Sequence, residues 1–452
     1  MKSKSSLRIS ALAIALLSAG LVQAAVSPEQ AARLNSDLTP MGGERAGNAD
    51  GTIPEWTGGY TEVPAGYQSG DNRADPFAAD KPLFSVSAGN MAQYADQLAG
   101  GTKALLKKYP DYRLDVYPTH RSAAAPQWVY DNTMQNATRA TLDVETEKVS
   151  GAYGGIPFPI PQNGAEVLWN YRLSWQGADT HYAPFDSLLM TAGGKKILAS
   201  RGRQWLQRPY YFKEGSLETF DGKYQFIKLL TEMPASKAGE AVVTHSDMDP
   251  GKRAAWQYLV GQRRVRRAPN IAYDTPNFVT SGVGFFDEVA MLFGPTDRHD
   301  LKLVGKKELL VPYNNNRAAA VSSDELVKPG FLNPDLVRWE KHRVWVVEAT
   351  LKAGKRHVVP KRTYYVDEDS WQVLLLDGYD AQGKLVRQTY SLTLLAPEMP
   401  VLTASVMSGN YDLETGAYFI SVTNDLKVQF QEYPRPSAAF FTPDAMASDS
   451  MR

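Results

Sequence analysis

The stretch Arg338-Trp339-Glu340-Lys341-His342-Arg343-Val344-Trp345-Val346-Val347-Glu348-Ala349-Thr350-Leu351-Lys352 decides the fold. Its odd positions carry Trp339, Trp345, Val347, Ala349 and Leu351, broken only by Lys341 and Arg343. Apolar residues two apart share one face of a strand, so the spacing predicts a strand. Downstream, Thr363 to Asp367 reads as a second strand, and the turn Asp367-Glu368-Asp369-Ser370 leads into Trp371, Val373 and Leu375. Another turn, Asp380-Ala381-Gln382-Gly383, opens the run from Leu385 to Leu395. Four or five strands joined by such turns form an antiparallel meander. It carries Trp, Tyr and Leu but no nucleophile motif, metal-ligand cluster or phosphate loop, which favours a surface that holds something apolar.

Upstream, Glu166 to Trp175 shows the cleanest alternation in the chain. Val167, Trp169, Tyr171, Leu173 and Trp175 fall on one side, and Glu166, Asn170, Arg172 and Ser174 on the other, with Leu168 the single exception, which predicts a half-buried strand. Further strands are expected at Lys196 to Leu206, Tyr224 to Leu230, Glu240 to His245, Ala254 to Val265 and Leu301 to Val311. A helix-like interruption falls near Asp287 to Phe293. Toward the N-terminus, Ser27-Pro28-Glu29-Gln30 has the form of a helix cap with Pro at the first helical position, opening a helix to about Leu38. Ser87 to Tyr109 suits a helix interrupted at Gly100-Gly101, and Pro126 to Leu142 another. The alternating prolines of Ile156-Pro157-Phe158-Pro159-Ile160-Pro161 exclude helix and central strand alike. Many antiparallel strands with few helices fit a mainly β fold, a large curved sheet with helices plugging its concave face. A two-sheet sandwich is the alternative.

Residues 1–24 read as a secretory signal peptide: Lys2, Lys4 and Arg8, then an apolar run from Ile9 to Val22, then Val22-Gln23-Ala24. The run is too short for a comfortable membrane span. The chain has no cysteine, so neither N-terminal lipidation nor disulfides are expected, and burial alone must hold the fold. The full chain balances 49 basic against 49 acidic residues; loss of the leader's three cations leaves 46 against 49, or −3. That balance gives no reason to expect nucleic acid as a partner. Between Pro40 and Pro82 lie eight glycines and five prolines around Trp56 and Tyr60. Such density forbids regular elements, and Trp56 argues for an arm that docks. The chain thus divides into a leader, an N-terminal helix and arm over 25–86, and one β domain with a helical lid over 87–452.

Five ordered blocks carry a family likeness. They are Arg45-Ala46-Gly47-Asn48-Ala49-Asp50-Gly51-Thr52-Ile53-Pro54-Glu55-Trp56-Thr57-Gly58-Gly59, Gly155 to Pro159 with Trp169-Asn170, Gly261 to Pro269, Gly305-Lys306-Lys307-Glu308 with Pro312-Tyr313-Asn314, and Arg338-Trp339-Glu340 with Trp345 to Ala349. Together they resemble the family of unknown function numbered 1329, labelled outer-membrane lipoprotein-sorting protein. The resemblance implies a periplasmic protein similar to the LolA/LolB carriers, whose half-open barrel and helical lid enclose an apolar cavity. It further implies partnership with an exporter of the resistance-nodulation-division superfamily and an outer-membrane partner. Two departures stand out: the chain lacks the N-terminal Cys of LolB-type receptors and is about twice the size of a minimal carrier.

A carrier of apolar molecules needs a dry concave surface, because each buried methylene contributes about 0.8 kcal/mol. It needs no catalytic residue and no cofactor. The expected lining is Trp169, Tyr171, Trp175, Phe226, Trp345 and Val347, with Phe285, Phe286, Met291 and Phe293 as lid. Arg263, Arg264, Arg266 and Arg267 suit capture of a headgroup or a docking partner, or form a solvated strand that pairs its charges with nearby acids. The six histidines show no zinc-binding spacing; His245 with Asp247 and Asp249, and His299 with Asp297 and Asp300, are weak metal candidates, and the turn acids Asp367, Glu368 and Asp369 cap a hairpin or, with the help of carbonyl oxygens, hold calcium. Two other readings remain: aromatic platforms with paired carboxylates for a carbohydrate-binding or glycan-processing protein, and a structural adaptor in an envelope complex.

Overall fold

A computed structural model describes residues 22–450 apart from 24, 269–272 and 405–406. The leader reading falls outside the described residues except for Val22 and Gln23, as does Pro269 of the arginine block. Among the described residues, sixteen strands form the main sheet. In chain order they begin with β1 (Phe84–Ser87) and β2 (Arg113–Val116). A first meander follows: β3 (Thr180–Met190), β4 (Lys196–Gln207), β5 (Lys223–Met233), β6 (Ala241–Asp247), β7 (Ala254–Leu259) and β8 (Arg264–Arg267). The second is β9 (His299–Pro312), β10 (Arg338–Leu351), β11 (Lys361–Asp367), β12 (Val373–Tyr379) and β13 (Leu385–Ser391). Then come β14 (Ser408–Asp412), β15 (Tyr418–Val422) and β16 (Gln431–Glu432).

The hairpin of β14 and β15 joins the meanders, since β13 pairs β14 and β15 pairs β3. Among the described residues every pairing is antiparallel except that of β2 with β10. The result is a large, curved, open sheet with helices packed against it. The meander expected from Arg338 onward is present, but β10 is covered on both faces, only Thr350 being fully exposed. Ala254 to Val265 is a hairpin rather than one strand, turning at Val260–Gln262 with Arg263 at φ 49°. Leu385 to Leu395 is also broken: Leu394–Ala396 leaves the main sheet and pairs Val401–Thr403 in a separate ribbon. The long β3 was not anticipated; Pro184 within it masked its strand character.

The largest correction concerns Glu166 to Trp175. Gly164–Arg172 is an α-helix, buried along its whole length. Asn163 caps it: its Oδ1 accepts from the Glu166 amide at 3.0 Å, and its Nδ2 donates to Glu166 Oε1 at 3.0 Å. Asn-x-x-Glu was a helix-start signal, and it outranked the alternation. A helix buried on all sides has no wet face, so apolar residues at alternate positions are compatible with it. The absence of a side chain at Gly164 lets the helix close onto the second meander, where an added Cβ would lie 2.8 Å from Val347 Cγ1.

The N-terminal segment docks. Ser27 and Gln30 form a capping box on Pro28–Ala31. Trp56 is buried, its indole Nε1 donates to the Ala123 carbonyl at 3.1 Å, and it meets Tyr130 edge-on. Glycine density in the arm has a steric cause: a Cβ at Gly59 (φ +77°) would stand 2.3 Å from the Ala123 carbonyl oxygen.

Candidate functional site

One face of the first meander borders a cavity of about 190 Å³. Side chains alternate across a strand, so the lining comes from every second residue. It includes His181, Ala183 and Phe185 of β3, Gln204 and Leu206 of β4, Gln225, Ile227 and Leu229 of β5, and Val242 and Thr244 of β6. Tyr182, Trp205 and Phe226 project from the opposite face, where Phe440 and Phe441 of the C-terminal segment cover Trp205 and Phe226.

A segment from Asn277 to Gly294 closes the cavity, contributing Phe278, Val279, Phe285, Phe286, Val289, Leu292 and Phe293. It holds a 3-10 turn at Phe286–Met291 broken by Ala290 (φ 45°) and Met291 (φ 72°), two consecutive non-glycine residues with left-handed φ. Such backbone persists only where surrounding contacts enforce it. Here they are ionic: Asp287 Oδ2 meets Arg362 Nη1 at 2.7 Å and His357 Nε2 at 2.8 Å, and Glu288 Oε1 meets Arg387 Nη1 at 3.2 Å. Burial opposes the charge on Asp287, but Arg362 and His357 outweigh it and hold its carboxyl below the usual range. Tyr171 bonds the Ala290 carbonyl through its hydroxyl, and Arg172 bonds that of Gly294. Sequence reasoning missed these clamps because their partners lie far apart in the chain.

Of the expected lining and lid, Tyr171, Phe285, Phe286 and Phe293 border the cavity. The others do not. Trp169 is 1% exposed, meets Tyr224 edge-on and donates to the Glu147 carbonyl at 3.1 Å. Trp175 packs against Trp128 and Tyr211, and Met291 and Val347 are fully buried in the core. Trp345 stacks on Trp371 beneath Lys306. Phe226 is a parity error: its neighbours Gln225 and Ile227 face the cavity, and a shift of one residue changes the face. Arg263, Arg264, Arg266 and Arg267 are exposed at the free edge of the sheet, and none forms an ion pair with another described residue. Pairing of that run with neighbouring acids is therefore absent among the described residues.

Of the metal candidates, His245 Nε2 meets the Phe441 carbonyl at 2.8 Å on the far face, and His299 packs against His357. The fold instead brings His342, Asp367 and Asp369 together. Glu340 Oε2 occupies His342 Nε2 at 2.9 Å, and Arg121 binds both oxygens of Asp369 at 2.8 and 2.7 Å, so this group is an internal charge network.

His181 sits at the polar end of the cavity, accepting from the Ala178 amide at 3.1 Å and stacking on Phe430. Burial, then the nearby charge of Arg208, depress its pKa to about 3. A histidine kept neutral in the fold but free to protonate when unfolded contributes stability above its unfolded pKa, near 6.5, that is lost as pH falls toward 3. At pH 5 the loss is about 2 kcal/mol. Urea midpoints at pH 7 and pH 5 should therefore differ, and His181→Gln should narrow the difference. Some slope should remain, because His299 is also depressed to about 3, by burial and by Arg362. An unchanged slope in His181→Gln would contradict this assignment.

An open antiparallel sheet with a clamped, phenylalanine-rich lid over an apolar cavity defines a lidded-cavity protein. The chain belongs to the family described as Protein of unknown function (DUF1329), whose family model matches residues 85–447. It is 37% identical over 453 residues to Uncharacterized protein PA3922 of Pseudomonas aeruginosa, covering 98% of this chain and 97% of that one. Similar solved structures include a DUF1329 family protein from Desulfovibrio piger, at 15% identity and TM-score 0.40, covering 60% of this chain and 92% of that one. The LolA superfamily protein NE2245 from Nitrosomonas europaea is 10% identical with TM-score 0.39, covering 63% of this chain and all of its own. No described helix is long and apolar enough to cross a membrane.

Proposed function

We propose that the protein is a periplasmic carrier that binds a lipid or other hydrophobic envelope molecule beneath its lid and passes it on without chemical change. The observation that carries this reading is the cavity itself, walled by aliphatic residues of β3 to β6 and by the lid phenylalanines. Such walls gain about 25 cal/mol for each Å² of apolar surface that a ligand covers. The leader supports a periplasmic location, and the family resemblance supports an exporter of the resistance-nodulation-division superfamily as partner. A glycan site would present flat rings in an open cleft flanked by polar groups, whereas these rings face inward under a lid. Native mass spectrometry of protein purified from the envelope should show a co-purifying apolar molecule. Recovery of bare protein that also fails to take up a neutral apolar dye would refute the proposal.

A further inference from the structure

The polar end of the cavity concentrates positive charge without a matching acid. Arg172 and Arg208 both line it, and both are buried. Arg208 donates from Nη1 to the Ser174 carbonyl at 2.8 Å and from Nη2 to the Arg172 carbonyl at 2.5 Å. Arg172 donates from Nη2 to the Gly294 carbonyl at 2.8 Å and to the Thr296 hydroxyl at 3.3 Å. Arg253 stands behind the cavity-lining Phe293, its guanidinium carbon 4.5 Å from the ring centroid. Its Nε and Nη2 are buried and have no hydrogen-bond partner.

None of the three pairs with a carboxylate among the described residues. Glu147 reaches this corner only through Thr296, accepting its hydroxyl at 2.7 Å and its amide at 3.1 Å. Glu288 lines the cavity too, but its charge is engaged by Arg387 at 3.2 Å. Carbonyl oxygens satisfy N–H groups without neutralising a full charge, and an unpaired ion held away from water is destabilising. The Tyr224 hydroxyl adds a donor that makes no hydrogen bond with the described residues. Burial lowers the Arg208 pKa, and takes that of Arg253 down to about 10. An arriving anion would offset both penalties.

Resting on the carrier reading above, we propose that this corner receives the carboxylate or phosphate group of an anionic amphiphile whose chain fills the apolar part of the cavity. Guanidinium groups suit both anions, because two parallel N–H donors match two oxygens. Arg208 also fastens the C-terminal end of the buried helix, so Arg253, with two idle donors, is the residue whose loss leaves the fold intact.

The test is displacement of the neutral dye N-phenyl-1-naphthylamine by four twelve-carbon competitors: dodecanoate, dodecyl phosphate, dodecanol and dodecyltrimethylammonium. At least one anion should displace the dye at roughly tenfold lower concentration than dodecanol, and the cation should be weakest. Whichever anion is the stronger identifies the headgroup as carboxylate or phosphate. In Arg253→Met the anion preference should shrink while the dodecanol midpoint holds. Equal midpoints for dodecanol and both anions overturn the headgroup proposal and leave the carrier reading standing. So does a full anion preference retained in an Arg253→Met protein that melts as the wild type does. Failure of the dye to bind overturns both.

Discussion

Ala183→Trp should abolish uptake of an apolar ligand while leaving the melting temperature near that of the wild type. Ala183 points from β3 into the cavity, between the lining residues His181 and Phe185. An indole there occupies space that a hydrocarbon chain would fill. Excluding about five methylenes forfeits roughly 4 kcal/mol, near a thousandfold in affinity. The fold tolerates the change because the new ring enters an existing void instead of an occupied core. Tyr182→Trp is the control: Tyr182 lies on the other face of the same strand, against Trp205 and Tyr433. It should bind dye with unchanged affinity. Titration of both variants decides the matter, and wild-type binding by Ala183→Trp would show that ligands enter elsewhere.

The contrast between those neighbours shows how much of the site the sequence could reveal. Strand positions were legible where one face is wet or turns are polar, as along β4 to β6 and the second meander. Facing was not. Phe226 and Ile227 are equally plausible lining residues until the C-terminal phenylalanines are seen to cover the former. The lid was legible as a cluster, since Phe285, Phe286 and Phe293 stand together in sequence. Its clamps to Arg362 and Arg387 were not, because such pairing is fixed by strand register over long separations. Glu166 to Trp175 failed for another reason. Alternation is informative only when one face meets water, and here none does. The same limit applies to Trp345: the aromatic side chains of the second meander mark where helix and arm pack, while the cavity lies against the first meander.

Arg121→Met should be among the most destabilising single changes in the chain, costing about 3–5 kcal/mol. Arg121 and its partners Glu368 and Asp369 are each about 2% exposed at the side chain. Its guanidinium binds both oxygens of Asp369 and also donates to the arm carbonyls of Glu44 at 2.7 Å, Arg45 at 3.1 Å and Pro54 at 3.3 Å. Methionine fills similar volume but leaves two buried carboxylates and three carbonyls without this donor. The arm should then loosen, so limited proteolysis between residues 40 and 82 should accelerate together with the fall in urea midpoint. The penalty should also depend on pH. Burial, then the charge of Asp369, already raise the Glu368 pKa, and removal of Arg121 raises it further. A carboxyl whose folded pKa is raised adds stability below its unfolded pKa, near 4.5, and loses it as pH rises through the folded value. The gap between variant and wild type should therefore be widest at neutral pH and close toward pH 4. Asp369→Asn placed in the Arg121→Met background should recover part of the loss, because it removes one stranded charge. A midpoint and cleavage rate equal to those of the wild type would show that this network does not hold the arm.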